Sequence, residues 1–353
     1  MQVSAEQHAE ADFLDAAKDV CRICGHAKNN KTHKVREMFY GTRDQFTYLE
    51  CTSCGTLQLK DIPDLSRYYQ QDYYSFRPAD FQHDMRTGLM HGLTGGLSTF
   101  VRRRLADHFC QRGLYSSREL PKPLRRFAVG FPHYLRNSRL DLQLSRESRI
   151  LDVGSGAGFE LINLNAFGFR HLLGIDPFIN GDITYPGGPR ILKTELSALA
   201  EEFDLILANH SLEHVHDVRS NLRHIYRLLR SGHYAIIRMP VVAFAWREFG
   251  PDWVQLDPPR HLQIFKATVF SRVAEQTGFA VRAVTYDSTA FQFWGSEQYR
   301  NDIPLMDSRS YLVNPEQSLF TAKQISEFAA EAARLNEQGQ GDQAVFYLFK
   351  TSP

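Results

Sequence analysis

The stretch RILDVGSGAGFELINL, residues 149–164, runs from an apolar segment through a glycine-rich turn into a helical pattern. A doubly wound α/β sheet receives its ligand at such a place, beyond the carboxyl ends of its strands. Gly154, Gly156 and Gly158 let the backbone turn tightly and approach a ligand where a β-carbon would collide. Their spacing is G-x-G-x-G, not the G-x-G-x-x-G that seats a pyrophosphate on a helix N-terminus. Asp152 adds a carboxylate two residues before the first glycine. That charge suits a sulfonium and an amino-acid cation and is awkward beside a pyrophosphate. Asp176 ends the next apolar segment, placed to accept hydrogen bonds from a ribose diol.

Working outward, the pattern from 149 to 287 alternates apolar strands with helices, which implies a parallel sheet covered on both faces. The strands expected are Arg149–Val153, His171–Asp176, Arg190–Lys193, Phe203–Asn209, Tyr234–Met239 and Ala280–Tyr286. In DVRSNLRHIYRLLRSG, Leu222, Ile225, Leu228 and Leu229 share a helical face, with Gly232 as the expected stop. ATVFSRVAEQTG is a second helix, closed by Gly278. The tail reads as an amphipathic helix, AKQISEFAAEAARLNEQG, and a last strand, QAVFYLFK. That strand is expected antiparallel beside the sixth, with residues 288–340 inserted between them. The boundaries that follow are an N-terminal extension (1–20), a cysteine module (21–63), a helical, basic connector (64–148) and the sheet domain (149–353).

The cysteine module holds CRICG and CTSCG, two C-x2-C knuckles separated by 26 residues. Cys21, Cys24, Cys51 and Cys54 together suit a tetrahedral, closed and therefore structural zinc ion, the alternative being four reduced thiols. Short strand-like stretches, KVREMFYG, QFTYLEC and GTLQLK, lie around them. Cys110 stands alone as a small apolar residue. The 353-residue chain has 43% hydrophobic and 23% charged residues, ordinary for a globular protein. A formal net charge of +1 gives no global reason to expect nucleic acid or membrane as a partner. No apolar run approaches the roughly 20 residues that span a bilayer. The first twenty residues lack a leader's apolar core, so the cytoplasm is the expected compartment.

Together, ILDVGSGAGFELINL, LLGIDP, FDLILANHSLEHVHD and LLRSGHYAIIRMP resemble class I S-adenosylmethionine-dependent methyltransferases over about residues 145–290. The fold class implied is α/β: a doubly wound, Rossmann-like methyltransferase sheet, here with an N-terminal zinc ribbon and a helical insert. The resemblance implies that Asp152, Gly154, Ser155, Gly156 and Gly158 hold the methionine part of S-adenosylmethionine, and Asp176 with Pro177 the ribose. Lys193–Glu195 and Leu196 would edge the adenine, Glu195 being the nearest acidic residue, while Asn209 and His210 face cofactor and acceptor. The module, with its C-x-x-C-G, LQL strand and tyrosine-rich YYQQDYYSF, resembles one attached to methyltransferases of sugar and polysaccharide pathways. The expected acceptor is a small molecule or glycan, namely a sugar, sugar nucleotide or glycan intermediate, methylated at oxygen or carbon. An RNA methyltransferase, a nicotinamide-dependent oxidoreductase and a non-catalytic binding protein stay open as alternatives.

Methyl transfer to a hydroxyl or carbon acid needs alignment and a base. NHSLEHVHD offers His210, Glu213, His214 and His216, and histidine suits proton removal near neutral pH. Glu213 and His214 could instead cap the following helix. The connection PVVAFAWREFGPDWVQLDPPRHLQIF is long enough for a lid. Its Trp246, Phe249 and Trp253 would wall the reaction or fill core. Its Arg260 and His261 would touch substrate or brace the loop, and His261 rivals His210 as base. Arginines from Arg102 to Arg139 form either a solvated helical face or a patch for a diphosphate-like group.

Overall fold

The structure, a computed structural model, describes residues 19–69, 76, 96–112, 121–128, 130–136 and 140–352. The N-terminal extension up to residue 18, Tyr73, Tyr74, Arg118 and Arg139 lie outside the described residues, as do the side chains of Cys110, Arg112 and Arg126. Three strands precede the main sheet: β1 Lys31–Arg36, β2 Gln45–Glu50 and β3 Leu57–Leu59. The main sheet then contains β4 Arg149–Val153, β5 His171–Ile175, β6 Ile183–Thr184, β7 Arg190–Leu192, β8 Phe203–Asn209 and β9 Leu229–Pro240. After β10, Gln263–Ile264, come β11 Ala280–Tyr286 and β12 Gln343–Phe349. Its eight strands run in the order β11-β12-β9-β8-β4-β5-β7-β6. Pairings among β9, β8, β4, β5 and β7 are parallel, and the chain order reverses at β4.

Both faces of this sheet are buried, so its strands are continuously apolar rather than alternating. Ile150, Leu205, Leu207, Ile236, Val345 and Tyr347 face one core. Their sequence neighbours Leu151, Ile206, Ala208, Ile237, Phe346 and Leu348 face the other. The helices Val218–Leu228 and Ala267–Glu275 cover the second face. The first is covered by Phe159–Ala166 and by a helix from the connector, Gly96–Arg112, through Leu105, Ala106 and Phe109.

Three expectations change. The helix after β8 stops at Leu228, and Gly232 lies inside β9, with a φ of 79° and its N–H bonded to the Lys350 carbonyl. Leu229 is extended because it already pairs with Phe203 of β8. The last strand does lie antiparallel to β11, but it also pairs antiparallel with β9 and so sits inside the sheet. The connector arginines are not one solvated face: Arg102 is buried against the Phe167 ring, 5.5 Å away, and Arg136 lies over Phe109.

The cysteine module does not close on itself. Its sheet runs β1-β2-β3-β10, and β10 comes from the long connection after β9. Arg22 ties the same seam, donating to the carbonyls of Leu59 and Leu262. The proposed lid is core: Trp246, Phe249 and Trp253 are buried with Val35, Tyr48, Leu57 and Leu59 of the module. Trp253 also donates its indole N–H to Asp342 at 2.8 Å. At the centre of the seam Arg260 is fully buried. Its guanidinium donates to both carboxylate oxygens of Asp257, to Glu37 at 3.3 Å and to the Tyr68 carbonyl, and stacks on Phe39. Glu37 in turn accepts from the backbone N–H groups of Tyr40, Gly41 and Thr42. Among the described residues no helix is long and apolar enough to cross a membrane.

Removing one member of a buried ion cluster strands the others without partners. Arg260→Met should therefore lower unfolding stability by about 3–5 kcal/mol in urea titrations. The triple variant Arg260→Met, Glu37→Gln, Asp257→Asn should recover much of the loss. An unchanged midpoint for the single variant would remove Arg260 from this role.

Candidate active site

The glycine loop follows β4 as the sequence indicates. The N–H groups of Gly154 and Ser155 bond the Ile175 carbonyl, drawing the loop onto the end of β5. Gly154 and Gly158 hold φ of 71° and 85°, and added β-carbons would lie 2.5 Å from the Ser211 side chain and 2.4 Å from Ile191. Glycine is required at both. Asp176 accepts from the N–H of Gly156 at 3.0 Å and of Phe178 at 2.8 Å, so it braces the loop from below. Pro177 and Phe178 are exposed beside it. Leu196 is buried while Glu195 is exposed, both just past β7.

Asp152 is buried, with its carboxyl held well above the usual range by burial and then by the nearby Glu160 and Asp176. Burial also raises Asp176, and it raises Glu160 against the hydrogen bond from Tyr134. Tyr134 donates to Glu160 at 2.7 Å and accepts from the Asn209 amide at 3.0 Å. The other amide atom of Asn209, Oδ1, is buried without a hydrogen bond. Asp152 thus lies under the influence of two further acids, Glu160 and Asp176, beside the loop, and Tyr134 links Glu160 to Asn209.

His210 continues β8 by donating its N–H to the Arg238 carbonyl, then turns at a φ of 49°. Its ring is occupied at both nitrogens. Arg238 donates to Nε2 at 3.0 Å, which places the proton on Nδ1, 3.3 Å from Glu213. Arg238 also donates to Asp287, which meets His133 and the Gln343 amide as well. His133 and Arg238 hold the Asp287 carboxyl down at about 2, although burial alone would raise it. Arg238, Asp287, Tyr134 and Glu160 were not singled out from the sequence as site residues. An arginine inside the apolar window AIIRMPVV was the available sign for the first.

A second group forms where the loop after β8 meets the seam. His214 bonds the Arg260 carbonyl and the Tyr69 hydroxyl through Nδ1, both at 2.9 Å. Burial and the neighbouring His261 depress its basicity to about 4. His261 is buried and bonds the Gln255 carbonyl through Nδ1 at 2.8 Å, while the Tyr48 hydroxyl of β2 donates to its own carbonyl. Between them lies Glu213, fully buried. Burial opposes its charge, but His210, His214 and His261 together hold it near about 2. His216 is exposed. A cleft of about 390 Å3 lies alongside, lined by Asp64, Ser66, Tyr69, Phe76, Phe178 and Asn180. Tyr69 stacks on Phe178 at 5.3 Å, so this cleft spans from the loop after Asp176 to the histidines.

The four cysteine sulfurs converge within 4.8 Å of one another. Two of the separations are 3.7 Å, Cys21 to Cys54, and 3.6 Å, Cys24 to Cys51. A tetrahedron of thiolates about 2.3 Å from zinc has edges of about 3.8 Å, whereas a disulfide needs about 2.05 Å. The cluster therefore fits a tetrahedral metal. Gly25 and Gly55 close the knuckles through N–H bonds to the Cys21 and Cys51 carbonyls. The contact between Cys21 and Cys54 lowers the thiol of Cys54 and raises that of Cys21, so the two share one proton between them.

Residues 124–284 match the methyltransferase domain family Methyltransf_23, and the chain is an S-adenosylmethionine-dependent methyltransferase. No curated protein matches its sequence significantly. Similar solved structures include a putative sarcosine dimethylglycine methyltransferase from Galdieria sulphuraria, 12% identical with a TM-score of 0.40, covering 71% of this chain and 98% of that one. Another is a possible histamine N-methyltransferase from Thermotoga maritima, 17% identical, TM-score 0.37, covering 72% and 100%. A third is the cyclopropane synthase MmaA2 from Mycobacterium tuberculosis, 14% identical, TM-score 0.39, covering 73% and 99%. Likeness at this level says nothing about the acceptor.

Because the Asp287 carboxyl is lowered by its partners, the stability it adds is complete above about pH 4 and is lost as pH falls toward 2. Asp287→Asn should cost stability at neutral pH, and the gap to the wild type should close between those limits. Urea midpoints measured across that range check this; a constant gap contradicts it.

Proposed function

We propose that the chain methylates a small hydroxylated acceptor, a sugar, sugar nucleotide or glycan intermediate, at oxygen or carbon. The observation that carries the cofactor half is the crowding of Asp152, Glu160 and Asp176, all raised by burial, at the glycine loop. A sulfonium and an ammonium group beside them would restore their ionised forms, which a pyrophosphate could not do. S-adenosylmethionine supplies a methyl group already activated on sulfur. Asp152, Gly154, Ser155, Gly156 and Gly158, with the free amide oxygen of Asn209, would hold its methionine part. Asp176 and Pro177 would meet the ribose, and Glu195 and Leu196 the adenine edge.

The acceptor would lie in the cleft beside Tyr69 and Phe178, whose ring faces suit the C–H faces of a sugar and whose Asp64, Ser66 and Asn180 suit hydroxyls. Proton removal is assigned to the group formed by Glu213, His214 and His261 rather than to His210, whose Nε2 already accepts from Arg238. Burial of Arg102 argues against a continuous phosphate-binding face and hence against RNA as acceptor. The cysteine module would carry one structural zinc, with all four positions filled by Cys21, Cys24, Cys51 and Cys54 and none left for chemistry.

Three measurements test this reading. Asp176→Ala should weaken S-adenosylmethionine binding at least tenfold by calorimetry, and equal affinity would sink the ribose assignment. With methyl-labelled cofactor, radioactivity should enter sugar nucleotides and leave RNA unlabelled; label in RNA alone rejects the acceptor class. Metal analysis should find zinc that Cys51→Ser removes together with thermal stability, since binding energy of structural zinc is folding energy.

A further inference from the structure

The group at Glu213 has the form of a metal site in its own right. Its three residues present ligand atoms within 4.8 Å of one another. Each histidine is fixed by a backbone carbonyl at Nδ1: His214 by Arg260, His261 by Gln255. Since a carbonyl only accepts, Nδ1 carries the proton in both rings and Nε2 is left with a lone pair. Metal-binding histidines are oriented in this way, the remote nitrogen donating to a carbonyl or carboxylate so that the other can coordinate.

The third member is Glu213, on the chain immediately before His214. Its carboxylate is wholly buried and neither oxygen makes a hydrogen bond of acceptable geometry. His261 Nε2 stands 3.9 Å from Glu213 Oε1, too far for a hydrogen bond and wide enough for an ion between them. A buried carboxylate whose closest polar contact is the His210 ring at 3.3 Å is under-satisfied, and a cation is the usual remedy. The nearby acids do not fill that role, because Asp257, also 3.9 Å from His261 Nε2, spends both oxygens on Arg260. On the remaining side His210 presents Nδ1 to Glu213 at 3.3 Å.

We propose that Glu213, His214 and His261 bind a divalent first-row transition metal, separate from the one at the four cysteines. Two imidazoles and one carboxylate favour zinc, manganese, iron or cobalt over magnesium or calcium. Three protein ligands leave positions open, as a metal that meets substrate requires. Resting on the methyl-transfer reading, the open positions would take an acceptor hydroxyl. The metal would lower that hydroxyl's pKa, so that its proton leaves to solvent and its oxygen takes the methyl group as the carbon–sulfur bond breaks toward sulfur.

The test uses the full chain with metal stripped and cobalt(II) added back, followed by visible spectroscopy and metal analysis. Thiolate-to-cobalt charge-transfer bands report the cysteine site, and weaker ligand-field bands without them report a nitrogen and oxygen site. The wild type should bind a second equivalent without thiolate bands, and Glu213→Gln and His261→Gln should each lose it while keeping the thiolate-bound one. Cysteine-site loading serves as the folding control for these variants. A wild-type stoichiometry limited to the cysteine site overturns the proposal, even if methyl transfer proceeds; the three residues then act as a base. A second equivalent retained in both variants overturns it as well. If the second metal binds as described but no hydroxylated acceptor is methylated, the site stands and the acceptor reading falls.

Discussion

The site depends on one buried guanidinium. Arg260 joins Glu37, from the cysteine module, to Asp257, from the connection after β9, in a place without solvent. Its own backbone carbonyl then fixes the His214 ring, and its neighbour His261 is held through its carbonyl by Tyr48 of β2. Charge, packing and ring orientation therefore meet at two consecutive residues. The module contributes none of Glu213, His214 and His261, yet through Glu37 and Tyr48 it braces the segment that carries His261 and the carbonyl that holds His214. A cluster of this kind adds little net stability compared with apolar packing, and its value lies in fixing one arrangement.

Across the glycine loop the electrostatics run the other way. The seam is balanced, with a cation for its acids, whereas Asp152, Glu160 and Asp176 crowd together and are driven toward their neutral forms. His210 and Arg238 lie between the two regions and connect them through Glu213 on one side and Asp287 on the other. The crowded acids and the histidine group are separated by one turn of chain after β8.

Much of the sheet was legible because its signals are local. Strands β4, β8 and β11 fall where apolar runs place them, and Gly154 and Gly158 have the dihedral angles that their loop requires. The cysteine pairs converge as their spacing indicates. What escaped notice depends on contacts distant in sequence. The helix end at Leu228 is set by pairing of Leu229 with Phe203, which overrides a glycine a few residues later. Trp246 and Trp253 looked like lid residues because the sequence does not show that β3 and β10 pair and bury them. That the His210 ring would meet Arg238 depends on another strand and has no local sign. Arg102 gives no sign in sequence that Phe167 will cover it.

The internal position of β12 has a consequence for synthesis. This strand follows every other strand of the sheet in the chain, yet it lies between β9 and β11 and hydrogen-bonds both. During translation β9 emerges with one edge unpaired, and β11 has no strand partner in the finished order until residues 343–349 arrive. Exposed apolar edges of this kind are open to pairing with other chains. The sheet therefore stays incomplete while residues 288–340 are made, with one edge of β9 unpaired over that interval.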